Sequence, residues 1–434
     1  MTTVITYGTY DLLHYGHIRL LERAKKLGDY LIVGVTADDF DKTRGKINVQ
    51  QSLMERIESV RATGLADKII VEEYEGQKID DIRRYNVDIF TVGSDWKGKF
   101  DYLNEFCKVI YLDRTEGISS SEIRSDQQSL RLAIVESSTI AKKYIEESKY
   151  VNGIEIIDSK FDVCETQDNK TALNKNYDEL LKKVDAVYIG SCPSLHYPQI
   201  EQALKNNIHV LCESPIAQNK EQCSKLFELA HENGCVLMDA IKTAYAMAYS
   251  RLLLLLKEGI IGDIYSVDAT CTSLRNPEDN VWDSICEWGP IALLPVFDIF
   301  GTDYKSKQIT SHANDQGKDL FTRVTFIYEH AVASIKVAIG VKSEGELIIS
   351  GTKGYIYVPA PWWKMEYFEA RYEDSSKNRR YFYQLEGEGI RYELVSFLRL
   401  IRNKQNVSYI KQDISTEICK IVEDYYNKKD FTKI

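Results

Sequence analysis

Along this chain, apolar residues gather in short runs, separated by longer stretches in which they recur at every third or fourth position. Runs at residues 4–7, 30–36, 68–72, 89–92 and 109–112 read as strands, and 18–27 as an amphipathic helix. Strand and helix in alternation predict a parallel sheet covered on both faces, which binds ligands beyond the carboxyl ends of its strands. A short polar link at 126–129 leads into a second series. Its strands are expected at 130–135, 154–157, 186–189, 209–211 and 236–238, and its helices at 177–183, 197–206 and 220–233. Residues 323–327, 332–337, 346–350 and 355–358 instead alternate partly at period two, which predicts an open antiparallel sheet. The expected class is α/β with an α+β tail, in domains 1–126, 130–243 and 244–434.

The turn after the first run holds the densest chemistry: Gly8-Thr9-Tyr10-Asp11-Leu12-Leu13-His14-Tyr15-Gly16-His17. A helix N-terminus offers unpaired N–H groups and a partial positive charge, both suited to phosphate. Imidazole N–H groups aimed at the same point stabilise charge that develops on phosphate as a bond to it breaks. Gly8 lets a ligand approach the backbone where a Cβ would intrude. Two histidines three apart can also be incidental, or part of a metal site. A second element weighs against both readings. Arg114-Thr115-Glu116-Gly117-Ile118-Ser119-Ser120-Ser121-Glu122-Ile123-Arg124 follows a later strand and again sets hydroxyls and amides at a helix start between cations.

On these motifs, residues 1–126 resemble the HxGH nucleotidyltransferases, and within them the glycerol-3-phosphate cytidylyltransferases. Leu20-Leu21-Glu22-Arg23-Ala24 and Gly93-Ser94-Asp95-Trp96-Lys97-Gly98-Lys99-Phe100-Asp101 extend the likeness. The resemblance implies a Rossmann-like domain in which a polyol phosphate, glycerol 3-phosphate by default, attacks the α-phosphorus of CTP. The products are a CDP-polyol and pyrophosphate, and a surface polymer is the implied use. The resemblance assigns catalysis to His14, His17, Lys46 and Arg114. It assigns CTP to Gly8, Thr9, Tyr10, Asp11, Arg44, Asp95, Thr115, Ser119 and Ser120, and the acceptor to Lys78, Trp96 and Asp67. Asp11 either holds the Mg2+ that CTP brings or orients a neighbour. Arg44 and Lys46 stand where the family has two lysines, and arginine binds phosphate bidentately where lysine is a point charge. Two positions depart from the family: Gly64 replaces an arginine, with Arg61 a turn earlier, and a tryptophan usual around 74–78 is absent. No general base is needed, because a phosphate monoester is largely dianionic at neutral pH and positioning supplies much of the catalysis.

Composition changes this picture little. At 434 residues, with 44% hydrophobic and 28% charged, the chain has room for two or three cores. A net charge of −10 argues against general affinity for nucleic acid or anionic membrane. Nine scattered cysteines without zinc spacing are expected as reduced thiols of a cytoplasmic protein. Residues 1–4 run directly into a strand with no signal peptide, and the leucines at 252–256 are too short a run to span a bilayer.

Residues 130–430 resemble the Gfo/Idh/MocA oxidoreductases, through Val184-Asp185-Ala186-Val187-Tyr188-Ile189, Leu195-His196, His209-Val210-Leu211-Cys212-Glu213 and Gly259-Ile260-Ile261-Gly262-Asp263-Ile264. A pyrophosphate fingerprint needs glycines after the first strand, yet Glu136-Ser137-Ser138-Thr139-Ile140-Ala141 has none. The family's Glu-Lys-Pro stands as Glu213-Ser214-Pro215. Pro295 and Phe297 fall near its later Asp/His pair, leaving only Asp298 ionisable. Serine and phenylalanine do not move protons as lysine and histidine do. NAD(P) is therefore not expected, Lys242 reads as a surface lysine, and the open sheet is expected to build a homodimer or higher oligomer. The alternative is a bifunctional enzyme whose second half reduces a sugar phosphate with NAD(P)H.

Overall fold

The computed structural model describes residues 2–37, 49, 51, 53–74, 76–113, 129–135, 139–158, 177–276, 282–315, 317–383, 385–403 and 408–434. The chain divides into two compact units, Met1–Ser129 with Val151–Gly153, and Leu130–Tyr150 with Ile154–Ile434.

In the first unit β1 (Thr3–Gly8), β2 (Tyr30–Thr36), β3 (Lys68–Glu72), β4 (Ile89–Gly93) and β5 (Lys108–Leu112) form a parallel sheet in the order β3-β2-β1-β4-β5. Its two faces are packed separately, as period-two alternation requires. Val4, Leu31, Val33 and Val35 meet Leu21 and Ala24 of α1 (Tyr15–Lys25) and Ile57 and Val60 of α2 (Leu53–Ala62). Ile5, Tyr7, Ile32 and Phe90 meet Ile82 of α3 (Gln77–Arg84) together with Phe100 and Leu103. The strand order reverses between β1 and β4, so the crevice beyond their carboxyl ends is where such a sheet takes a ligand. Helix α1 starts at Tyr15, three residues before its apolar periodicity does, because His14 caps it.

The second unit carries two sheets. The first is parallel, in the order β10-β9-β8-β6-β7: β6 (Leu130–Val135), β7 (Ile154–Asp158), β8 (Ala186–Ile189), β9 (His209–Cys212) and β10 (Leu237–Asp239). Helices α4 (Thr139–Ser148), α5 (Pro193–Lys205) and α6 (Lys220–Glu232) connect or cover these strands. Beyond α7 (Lys242–Tyr245) and α8 (Met247–Lys257), the other sheet begins with β11 (Ile264–Ser273). It has nine strands and is mixed rather than antiparallel. Strand β11 runs parallel to β14 (Val332–Ile339), because a helical crossover that includes α9 (Gly289–Phe300) intervenes before the meander ending in β14. Helices α10 (Ile390–Arg402) and α11 (Gln412–Tyr426) complete the unit. Among the described residues no helix is long and apolar enough to cross a membrane.

One glycine is fixed by close approach. A Cβ on Gly34 of β2 would lie 2.2 Å from Cδ1 of Tyr7 on β1. Gly34→Ala should therefore destabilise the first unit by about 1–3 kcal/mol, read as a lower urea midpoint at unchanged slope.

Candidate active site and a second buried carboxylate cluster

Strand β1 delivers the chain to the switch point at Gly8, where a Cβ would meet the Tyr10 ring at 2.9 Å. Tyr10 is buried with its ring 5.5 Å from that of His17, and burial drives its hydroxyl well above the ordinary tyrosine range. His14 is the N-cap of α1: its Nδ1 accepts the Gly16 N–H at 3.1 Å, and the His14 N–H points back to His17 Nδ1 at 3.5 Å. Such a reciprocal cap is normally made by a hydroxyl and a carboxamide or carboxylate. Here two imidazoles make it, stacked with centroids 3.9 Å apart. A ring whose Nδ1 accepts carries its proton on Nε2, so both rings present an N–H donor at the start of a helix.

The remaining positions named from the sequence fall in four places. Asp95 and Trp96 follow β4, across the switch point from the histidines; Asp95 is exposed, and Trp96 packs on Phe100 at 5.8 Å. Thr9 turns its carbonyl to Arg56. Lys78 is buried and ion-paired to Glu72, and lies 4.7 Å from the Tyr7 ring and 5.4 Å from that of Phe100. Asp67 is at the opposite edge of the sheet. It sits just before β3, accepts the Leu31 N–H at 2.6 Å and pairs with Lys25, so it is not among the residues around the histidines. Arg44, Lys46, Arg114, Thr115, Ser119 and Ser120 lie outside the described residues. Arg61 is exposed and paired to Glu58, and so does not take the role of the arginine missing at Gly64.

The Asp11 carboxylate is 3% exposed and accepts the Gln51 N–H at 2.9 Å. Among the described residues no group of three carboxylates, thiols or imidazoles could hold a metal ion. The Gln51 contact gives Asp11 an orienting role in the turn.

In the second unit, Ser214 is buried where the resemblance implies a lysine, at the end of β9. Around it lies a cluster of carboxyl groups. Tyr188 donates to Glu213 at 2.6 Å, Tyr144 donates to Glu393, and the two tyrosine rings lie 3.9 Å apart. Burial pushes Glu213 up and Glu393 well up. Asp239 is pushed up to about 7 by burial and by Glu213, against the opposing hydroxyls of Ser415 and Ser214. Lys242 is half-buried rather than a surface lysine, and its charge opposes the rise at Glu213 and Glu393. Pro295 and Phe297 are core residues of α9, and Asp298 accepts from Tyr249 at 2.8 Å. Glu136 lies outside the described residues.

Residues 5–126 match the family model of cytidylyltransferase-like proteins. Glycerol-3-phosphate cytidylyltransferase of Bacillus spizizenii is 51% identical over 130 residues, covering 30% of this chain and 100% of the relative. The Staphylococcus aureus enzyme of that name is 49% identical, covering 29% of this chain and 95% of its own. The chain belongs to the cytidylyltransferase-like family. Residues 130–240 of this nucleotidyltransferase also match the oxidoreductase family with an NAD-binding Rossmann fold. The solved structure of KijD10, a 3-ketoreductase from Actinomadura kijaniata, superposes with a TM-score of 0.61 at 16% identity, covering 71% of this chain and 99% of its own. That likeness is one of fold.

Two residues of the cytidylyltransferase-like unit that the sequence reading passed over are Gln51 and Arg56. Arg56 is fully buried and donates to the carbonyls of Gln51, Thr9 and Thr36. Its signal was present: with Leu53, Ile57 and Val60 it lies on the apolar stripe of α2, an unusual place for a charge.

Asp239 yields a pH dependence. A carboxyl held near 7 when folded and near 3.9 when unfolded binds its proton more tightly in the folded state. Its contribution is fully present below about pH 4 and lost as pH rises through about 7. Asp239→Asn should raise the melting temperature at pH 8 by about 4 °C, with the gain shrinking towards pH 5. A gain that does not depend on pH would contradict this.

Proposed function

We propose that the first unit transfers CMP from CTP to glycerol 3-phosphate. A phosphate oxygen of the acceptor attacks the α-phosphorus, the bond to the bridging oxygen breaks, and pyrophosphate leaves with that electron pair. The observation that carries this reading is the imidazole pair capping α1 at the switch point of the sheet. The Nε2–H donors of His14 and His17, with the amides of the first helical turn, face charge that builds on the α-phosphate. Lys46 and Arg114 are assigned to the same charge. Gly8, Thr9, Tyr10, Arg44, Asp95, Thr115, Ser119 and Ser120 are assigned to CTP, and Trp96 to the acceptor. Magnesium enters as part of the CTP complex, with no step through Asp11. The relatives named glycerol-3-phosphate cytidylyltransferase support glycerol 3-phosphate as acceptor.

For the second half, we infer a scaffold without redox chemistry, acting as an oligomerisation module in a cytoplasmic enzyme of surface-polymer synthesis, with domains at 1–126, 130–243 and 244–434. Ser214 in place of a lysine supports that reading. The oxidoreductase family match favours a second one, reduction of a sugar phosphate with NAD(P)H. Titration with NADPH separates them: quenching of tryptophan fluorescence or a raised melting temperature favours the reductase.

Pyrophosphate release from CTP, Mg2+ and a panel of polyol phosphates tests the transferase and its acceptor together. His17→Ala should lower kcat by about 10²–10⁴-fold with the fold intact by circular dichroism. Near-normal turnover would sink the mechanism.

A further inference from the structure

We propose that Gln51, backed by Arg56, is a positioning residue for the two histidines. The inference rests on the transferase reading of that site. Between Gly8 and His14 the backbone takes a left-handed conformation at Tyr10 (φ 53°) and Leu12 (φ 49°). Side chains with a Cβ disfavour that region, and it persists only where surrounding bonds hold it.

Gln51 holds Leu12 directly. Its side-chain Oε1 accepts the Leu12 N–H at 2.7 Å, while its own N–H donates to Asp11 Oδ1 at 2.9 Å. Arg56 fixes Gln51 in turn. Its Nε donates to the Gln51 carbonyl at 3.1 Å, and its Nη1 to the carbonyls of Thr9 at 2.7 Å and Thr36 at 2.8 Å. The start, middle and end of the turn are thereby tied to one support, and through Thr36 to the end of β2. Leu12 lies two residues before the N-cap. If it relaxes, His14 moves, and His17 moves with it because the two rings share the reciprocal cap. Gln51 bonds to Leu12 and Asp11, so it acts through the turn.

Donors that act on the transition state lose rate, not ground-state binding, when displaced. In the full-length chain, Gln51→Ala should therefore lower kcat by about 10–100-fold and leave KM for CTP and acceptor within about threefold. Gln51→Glu keeps an acceptor for the Leu12 N–H and should retain kcat within about fivefold. Unchanged kcat in Gln51→Ala, equal losses in both variants, a loss confined to KM, or an unfolded Gln51→Ala beside an active Gln51→Glu would each overturn the proposal. A wild-type chain that releases no pyrophosphate would instead sink the transferase reading. The turn is then read from the imidazole NMR resonances of His14 and His17, which Gln51→Ala should shift and Gln51→Glu should not; unshifted resonances in Gln51→Ala overturn it.

Discussion

A helix cannot begin without partners for its first amides, and in the first unit that requirement falls on two imidazoles. The Nδ1 atoms of His14 and His17 serve the backbone, which leaves the ring protons on Nε2. One interaction therefore starts α1, sets the tautomers and stacks the rings. Everything around it constrains that turn: Gly8 makes room for Tyr10, Tyr10 packs beside His17, and Asp11 is spent on Gln51. Replacing the imidazoles by better capping residues would keep the helix and lose the donors.

Much of this was legible in the chain. The parallel sheets follow from alternating runs, and the place of the turn from glycine and histidine at a strand-to-helix junction. What escaped were features decided by long-range contact. The sequence names Lys78 as an acceptor contact, but does not show that Glu72, Tyr7 and Phe100 are brought around it by β3, β1 and the segment after β4. Asp67 lies close in sequence to β3, yet it precedes the strand, and only the sheet reveals that this puts it at the amino edge. The mixed character of the large sheet was hidden for a similar reason. Period two marks a strand without giving its direction, and β11 gains its parallel neighbour only through a helical crossover.

In the second unit the same physics explains what a lost lysine leaves behind. A lysine at position 214 would offer a cation to the carboxyl groups buried nearby. Ser214 offers only a hydroxyl, which with that of Ser415 opposes the rise at Asp239, and Lys242 opposes the rise at Glu213 and Glu393 only through space. Three buried carboxyl groups with one lysine in range cannot all stay ionised, because each added charge raises the cost of the next. Protonation and tyrosine hydroxyls take over: Tyr188 donates to Glu213 and Tyr144 to Glu393.

That compensation bears on what holds the fold together. The strands and helices of the Rossmann-like sheet are held by apolar packing, with Val135, Val187, Ile189, Val210 and Cys212 in one core. This core makes no use of position 214, so the residue there can change without removing the sheet. The cost appears instead at Asp239, whose buried carboxyl is pushed up to about 7. In the first unit the reverse holds. There the two imidazoles are themselves the cap of α1, so the residues on which the proposed transfer relies also start the helix.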